Sequence, residues 1–188
     1  KHKDEKSFEE LVLKDGRVLE RFSAPMLGEA GKYYGRVWYF RDITGRKQAE
    51  ENLRESERRF HSLYTHMTEG AALHELIYDE QGTPLDYVII EANPGFETNL
   101  GIARDSVIGK TSRDVYGVTE PPYLDIYAQV ATTGLPAIFE TYFPPLNKHF
   151  SISAYSPSKG RFATIFEDIT KRKKAEEQSR EAREILEG

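Results

Sequence analysis

The side chains that could do chemistry are few, and none forms a familiar catalytic set. The chain has five histidines and no cysteine in 188 residues. The lack of cysteine excludes disulfides, thiolate zinc sites and cysteine nucleophiles. His61 and His66 have no carboxylate at metal-ligand spacing, and His74 would point away from Glu75 if both lie on one strand. For His149 we expect a packing or hydrogen-bonding role, and we expect no metal site.

Phosphate chemistry leaves no trace in the sequence either. The glycines stand at turns and helix ends and form no phosphate-binding loop. Neither the ATP-lid motif of a histidine kinase nor the Gly-Gly-acidic loop of a diguanylate cyclase is present. Asp42 and Asp168 each precede a helix, where a carboxylate can tie the helix to the sheet. Each is predicted to pair with the basic cluster that follows it, Arg46-Lys47 or Arg172-Lys173. We therefore expect no enzyme activity from this chain.

Composition narrows the function classes further. Acidic residues number 31 and basic residues 26, which gives a net charge of −5. This balance argues against a nucleic-acid-binding face, which needs clustered Lys and Arg. No apolar run approaches the roughly 18 residues of a membrane span, and no signal peptide is evident. We expect a cytoplasmic location, although the parent protein could be membrane-anchored.

An internal repeat organises the positions of these residues. The segment from Phe40 to Glu51 recurs from Phe166 to Glu177, 126 residues later. Only 44 residues reach the first Asp-Ile-Thr, so the first copy is expected to be part of a module and the second a whole one. Each copy predicts a strand that runs into a charged helix. Thr44 and Thr170 stand where a hydroxyl can cap that helix.

Apolar residues in the two charged helices follow a 3.5-residue spacing. In the first helix the predicted seam is Ala49, Leu53, Phe60 and Leu63, and in the second it is Ala175, Ser179, Ala182 and Leu186. This spacing is typical of a parallel coiled coil, so we expect a homodimer through the helices. The alternative is a solvated helix that lies against its own domain.

The remaining pattern predicts a mixed domain. Two strands (71–78 and 87–92) precede short helices, the longest after Pro122, and three strands follow (137–143, 148–156 and 161–168). The front of the chain repeats only three strands, at 8–13, 18–24 and 33–41. Three strands without helices leave one sheet face uncovered. We expect part of this segment to pack on a neighbour.

Three motifs in the second half resemble those of a PAS domain. They are Glu91-Ala92-Asn93-Pro94-Gly95-Phe96, Val107-Ile108-Gly109-Lys110, and Asp168-Ile169-Thr170 followed by a charged helix. The last motif is typical of the PAS and PAC ending of bacterial sensor proteins. Residues 70–170 resemble a complete PAS domain, and residues 8–44 resemble the end of a preceding one.

This resemblance implies an α+β fold. Its five-stranded antiparallel sheet has the order 2-1-5-4-3, with short helices covering one face to make a pocket. The expected domains are residues 1–44, the last part of a first PAS domain; 45–69, a linker signalling helix; 70–170, a complete PAS domain; and 171–188, the start of an output coiled coil. Signal relay is assigned to Asp42, Thr44, Asp168, Thr170 and Arg172.

The family also implies a function. We expect a non-catalytic sensory or relay module of a bacterial or archaeal signalling protein, with a histidine kinase or diguanylate cyclase as effector in the same polypeptide. A small organic ligand is expected between sheet and long helix. Its candidate contacts are Phe96, Ile108, Tyr127, Phe139, Tyr142, Ser151, Ser153, Thr164 and Phe166. The same residues could instead simply fill the core. Alternation allows either Ser151 and Ser153 or Phe150 and Ile152 to face inward, but not both pairs.

Cofactors of this family leave recognisable residues. The flavin adduct and the p-coumaroyl chromophore both need cysteine, so they are excluded. Haem members usually take a histidine from the long helix, which has none between residues 123 and 133. We therefore expect no haem, although another haem ligand and a non-covalent flavin stay open. The alternatives are a pure dimerisation scaffold with a filled core, and a flavin or haem sensor of redox state or gas.

Overall fold

The computed structural model describes residues 5–187, which form two compact units divided after His61. Within residues 5–187, no helix combines the length and apolar character needed to cross a membrane. The chain's first strands and the start of helix α1 belong to the first unit. The end of α1 and all later elements belong to the second unit.

The first unit is built on an antiparallel three-stranded sheet. Its strands are β1 (Ser7–Val12), β2 (Val18–Leu27) and β3 (Tyr33–Asp42), in the order β1-β2-β3. Gly16 has a φ of 87°, which favours glycine in the tight turn between β1 and β2. Helix α1 (Thr44–His66) follows β3 almost directly. The side chains of Ala49, Leu53, Phe60 and Leu63 on this helix are exposed.

The second unit contains a five-stranded antiparallel sheet. Its strands are β4 (Gly70–Tyr78), β5 (Pro84–Ala92), β6 (Ala137–Phe143), β7 (Lys148–Ser158) and β8 (Arg161–Asp168). Their order in the sheet is β5-β4-β8-β7-β6. Numbered within the unit, this order is 2-1-5-4-3, so the predicted fold class is confirmed.

Short helices connect β5 to β6 and cover one sheet face. They are α2 (Pro94–Leu100), α3 (Ser112–Tyr116) and α4 (Leu124–Thr133). Asn93 caps α2 by accepting a hydrogen bond from Phe96 N at 2.9 Å, and Pro94 supplies the first helical residue. Helix α4 begins only at Leu124, because Tyr123 has a φ of 55° and cannot continue a right-handed helix.

Two groups of buried side chains fill the space between sheet and helices. One surrounds Phe96, Phe150 and Phe166; the other surrounds Tyr87, Tyr127 and Phe162. Helix α5 (Thr170–Glu187) leaves the last strand after one intervening residue, Ile169. The side chain of Leu186, predicted in the second seam, lies outside the described part of the chain.

Candidate functional site

A cavity lies inside the second unit, between the sheet and the helices. Its volume is about 50 Å³, while one buried water needs roughly 10–15 Å³ and pockets for drug-sized molecules measure about 300–1,000 Å³. The lining is largely aromatic and is formed by His74, Tyr87, Phe96, Leu100, Tyr116, Pro122, Tyr123, Tyr127, Phe143, Phe150, Ile152, Thr164 and Phe166. The space suits a few small atoms, or a larger ligand if the lining moves.

His74 is the most polar group of the cavity. Its side chain is 3% exposed, and its Nε2 lies 3.0 Å from the Thr164 hydroxyl. Its ring stacks on Phe162 with centroids 4.6 Å apart. The other ring nitrogen, Nδ1, is buried and has no hydrogen-bond partner among the described residues. Burial lowers the pKa of His74 to about 3, so the imidazole is neutral at physiological pH.

Four tyrosines complete the polar lining. The Tyr87 hydroxyl donates to Pro122 O at 3.2 Å, and the Tyr123 hydroxyl accepts from Thr141 at 3.1 Å. Burial raises the pKa of Tyr127 and Tyr116 well above the usual range, so both phenols stay protonated. The lining residues include no Asp, Glu, Lys or Arg. The cavity therefore offers hydrogen bonds but no counter-charge, which disfavours a charged ligand.

The predicted pocket residues divide into three groups. Phe96, Tyr127, Thr164 and Phe166 line the cavity. Phe139 is half-buried beside it, with its ring 5.4 Å from Tyr123 and 6.4 Å from Tyr127. The other four residues do not line the cavity: Ile108, Tyr142, Ser151 and Ser153.

Side-chain alternation along the strands explains three of these four differences, and the fourth residue lies in a loop. Phe150 and Ile152 of β7 point inward and are buried, so Ser151 and Ser153, which alternate with them, lie on the opposite face. Tyr142 lies on the outer side of β6 and is 47% exposed. Ile108 is 42% exposed in the loop after the short 3-10 segment Arg104–Ser106. Sequence reasoning missed His74. It placed His74 and Glu75 on opposite faces of β4, but His74 is the one that points into the core.

The start of helix α5 is held by the last residues of β8. The Asp168 carboxylate accepts a hydrogen bond from Thr170 N at 3.0 Å and lies 3.0 Å from Lys148 Nζ. Partial burial raises the pKa of Asp168, but the hydrogen bonds from Thr170 and Lys148 outweigh it and lower the pKa overall. The predicted pairing of Asp168 with Arg172-Lys173 is wrong, because the carboxylate turns toward β7.

The basic cluster pairs elsewhere. Arg172 and Lys173 both contact Glu140 of β6, each at 2.6 Å. The hydrogen bonds from Lys173 and then Arg172 lower the pKa of Glu140 to about 2. A strand therefore anchors the first turn of α5 through a carboxylate that sequence reasoning did not single out.

Thr170 and Ile169 complete the attachment. The Thr170 hydroxyl accepts from His149 N at 2.9 Å, and Ile169 N donates to His149 O at 2.8 Å. The Ile169 side chain is buried. We call this arrangement of Asp168, Ile169 and Thr170 the exit junction.

The first unit repeats the attachment at Asp42, Ile43 and Thr44, which we call the first junction. The Thr44 hydroxyl accepts from Val18 N at 2.9 Å, and Asp42 accepts from Thr44 N at 2.9 Å. Arg46 and Lys47 contact Glu20 and Glu10, respectively. The predicted pairing of Asp42 with its basic cluster is therefore also wrong.

Comparisons with known proteins agree with this geometry. Residues 85–174 match the family model described as the PAS fold. With the sheet order 2-1-5-4-3, this match identifies the second unit as a PAS domain. PAS domains are regulatory sensory modules of signal transduction rather than catalysts. A search of curated proteins found no match.

Several solved structures are similar to this chain. A domain of a sensory box sensor histidine kinase/response regulator from Geobacter sulfurreducens is 18% identical, with a TM-score of 0.45, covering 63% of this chain and 98% of that one. A domain of an HTR-like protein from Haloarcula marismortui is 18% identical, with a TM-score of 0.41, covering 55% of this chain and 100% of that one. The PAS domain of Bordetella pertussis BvgS is 15% identical, with a TM-score of 0.38, covering 72% of this chain and 98% of that one.

Proposed function

We propose that the chain is a non-catalytic sensory and relay part of a signalling protein. In this proposal, a change in the cavity of the PAS domain alters the exit junction, and α5 carries the change to an effector domain of the same polypeptide, such as a histidine kinase or diguanylate cyclase. The proposed parts are residues 1–44 from a preceding PAS domain, 45–69 as linker helix, 70–170 as sensor and 171–188 as the start of the output helix.

One observation carries this proposal: the cavity and the exit junction share two strands. Phe150 of β7 and Phe166 of β8 line the cavity. Phe150 is the direct cross-strand partner of Asp168, and Phe166 lies two residues before Asp168 on the same sheet face. A ligand that displaces either ring therefore acts on a residue next to the start of α5.

The proposed ligand is a small, uncharged molecule that hydrogen-bonds to His74 Nδ1. The unpartnered nitrogen and the uncharged lining support this choice over the small acid that a hydroxyl-rich pocket suggests. A flavin or haem would require the aromatic lining to separate widely, because the cavity is only about 50 Å³.

We also propose a homodimer through the exposed seam of α1. Leu53, Phe60 and Leu63 are 62%, 65% and 71% exposed, and their spacing suits a coiled coil. A cytoplasmic location stays a prediction from the sequence.

Thr164→Val tests the relay. This variant keeps the shape of the buried side chain but removes the hydroxyl that pairs with His74 Nε2. Amide hydrogen exchange, measured by NMR, should then rise at Ile169 and Lys173 by more than it rises in β5. We expect about a tenfold excess, the effect of losing one buried hydrogen bond.

Ser153→Ala is the matched control, since Ser153 lies on the opposite face of the neighbouring strand. It should leave exchange at Ile169 and Lys173 unchanged. An equal rise across all strands in Thr164→Val would mean general destabilisation and would contradict the relay.

The two alternative functions are tested on the same preparation. Bound flavin or haem would give absorbance between 350 and 500 nm, whereas the proposed sensor is colourless. Methanol and acetamide serve as uncharged probes, with formate and methylammonium as charged ones. An uncharged probe that raises Tm more than the charged probes supports the proposal. A pure scaffold with a filled core would show no shift with any of them.

A further inference from the structure

Helix α2 contacts the two ends of the PAS domain through one buried side chain. Asn99, in the last turn of α2, is 8% exposed. Its Nδ2 donates to Thr68 O and to Gly95 O, both at 2.8 Å. Its Oδ1 accepts from Asp168 N at 2.9 Å. A single amide group thus bonds to the segment before β4 and to the last residue of β8.

The segment that enters the domain, residues 64–69, packs directly on α2. Asn93 Nδ2 donates to Tyr64 O at 3.2 Å and to Glu69 O at 3.0 Å. A Cβ at Gly95 would overlap the main-chain oxygen of Glu69 and press on that of Met67. This close approach needs glycine, and it means that the entering segment cannot shift toward α2 without moving the helix.

The other end of the contact lies at the exit junction. Lys148 Nζ donates to Asn99 O at 2.6 Å and also pairs with the Asp168 carboxylate at 3.0 Å. Asp168 in turn caps α5. The side chain and the main chain of Asn99 therefore both reach the residue that fixes the start of the output helix.

We propose that Asn99 is a positioning residue that links the entering segment to the exit junction, so that a displacement of residues 64–69 reaches α5 through α2 without a ligand in the cavity. The inference builds on the proposed relay function and adds a second input to it. The side chain makes one donor bond on the entering side, to Thr68 O, and one acceptor bond on the exit side, from Asp168 N, so the two ends of the link can be separated chemically.

Asn99→Asp and Asn99→Ala separate the two sides. The aspartate keeps an oxygen for Asp168 N but loses both donors, so it should loosen the entering segment alone. Asn99→Ala loses the donor bonds and also the acceptor bond to Asp168 N. Amide hydrogen exchange should rise about tenfold at residues 67–69 in both variants. At Asp168 and Lys173 it should rise in Asn99→Ala and stay near the wild-type rate in Asn99→Asp.

Thr98→Ala is the matched control on the same helix. The Thr98 hydroxyl is exposed and bonds only within α2, to Pro94 O. It should leave exchange at both ends unchanged. If Asn99→Asp and Asn99→Ala accelerate the same amides equally, Asn99 is merely part of the core and the inference is overturned.

Gly95→Ala should displace residues 64–69, because the added Cβ would overlap Glu69 O. In the wild-type background this variant should accelerate exchange at Asp168 and Lys173, whereas in Asn99→Ala it should add little at those amides. Additive effects in the two backgrounds would overturn the link. Should Gly95→Ala not fold, the comparison of the two Asn99 variants decides alone.

Failure of this inference is distinguishable from failure of the relay function. Thr164→Val perturbs the cavity and leaves Asn99 in place, so a normal Thr164→Val response with additive Gly95 and Asn99 effects rejects only the link. The reverse result rejects the cavity as the input and retains the link.

Discussion

Strands β1–β3 and β6–β8 are two versions of one meander with different surroundings. Ser23 pairs with Trp38 in the first unit, as Ala154 pairs with Thr164 in the second. Both meanders end in Asp-Ile-Thr, and both threonine hydroxyls accept from the middle strand at 2.9 Å. Thr164 is 4% exposed beneath the helices, whereas Trp38 at the corresponding position is 53% exposed.

This difference separates two tasks that the PAS domain combines. Three strands are enough to build the junction that starts an outgoing helix. The helices between β5 and β6 add the core and the cavity. Ile43 is the only buried hydrophobic side chain in the described part of the first unit, whereas twenty such side chains lie in the second. The first unit thus has a junction that starts an outgoing helix but no enclosed core.

The largest expected difference is in local stability. A three-stranded sheet with an open face lacks the burial that holds a sheet closed. Amides in the centre of β2 should exchange at least about a hundredfold faster than those in the centre of β8, measured by NMR on the intact chain. Equal protection in the two strands would mean that another surface covers the first sheet in solution.

The next effect is a pH dependence of the stability of the second unit, which arises from His74. His74 has its pKa lowered by burial from 6.5 to about 3. Below pH 6.5 the unfolded state takes up a proton that the folded state refuses, so stability falls as the pH drops from 6.5 toward 3. The slope approaches about 1.4 kcal/mol per pH unit, which gives about 2 kcal/mol at pH 5.

His74→Phe should remove this slope, because the ring can keep its stacking on Phe162 without titrating. Urea unfolding between pH 5 and 7.5, followed by NMR signals of β8, measures the difference between wild type and variant. Signals of β2 serve as the internal control, since strands β1–β3 contain no histidine. A wild-type slope retained in His74→Phe would show that another group is responsible.

Asp168 and Asp42 should differ next. Asp168 is partly buried and holds both Thr170 N and Lys148, whereas Asp42 is exposed and bonds only to Thr44. We expect Asp168→Ala to destabilise the second unit by about 1–2 kcal/mol. Asp42→Ala should have a clearly smaller effect on the first unit. Urea unfolding monitored in each unit tests the ranking, which equal losses would refute.

Much of the fold followed from local patterns and the resemblance. The strands 137–143 and 161–168 were predicted with the bounds now observed. Apolar alternation and turn residues specify such strands strongly, because a slip by one residue would expose the core face. The start of α4 was not predictable, since the left-handed conformation of Tyr123 depends on its packing against the rings of Tyr127 and Phe139.

The candidate site was less predictable than the fold. Four predicted residues line the cavity, but the polar lining residues His74, Tyr87, Tyr116 and Tyr123 were missed. Their roles arise because β4, β5, α3 and the segment before α4 meet in space, although most of them are far apart in sequence. The same holds for Asn99, which bonds to Thr68 and Asp168 at 31 and 69 residues' separation, and for Glu140, which bonds to Arg172 at 32 residues' separation. Nothing in a local pattern distinguishes these polar residues from ordinary surface ones.

The smallest expected effect concerns the exposed ion pairs. Glu140 alone receives both Arg172 and Lys173, whereas at the first junction Arg46 and Lys47 use two carboxylates, Glu20 and Glu10. Glu140→Gln removes the ion pairs of both Arg172 and Lys173 at once, whereas Glu10→Gln removes only the ion pair of Lys47 and leaves that of Arg46 with Glu20. Amide exchange in the first turn of α5 should therefore rise more in Glu140→Gln than it rises in α1 in Glu10→Gln.

Solution conditions give this prediction a sharper form. Because the pKa of Glu140 is lowered from 4.5 to about 2, its contribution is present above pH 4.5 and is lost as the pH falls toward 2. Carboxyl-carbon NMR should give a midpoint near 2 at low salt, rising toward 4.5 in Lys173→Ala. Exposed pairs are screened by salt, so about 1 M NaCl should raise the midpoint as well. A midpoint near 4.5 in the wild type at low salt would mean that Glu140 does not anchor α5, and the two junctions would then differ only in Asp168 and its partners.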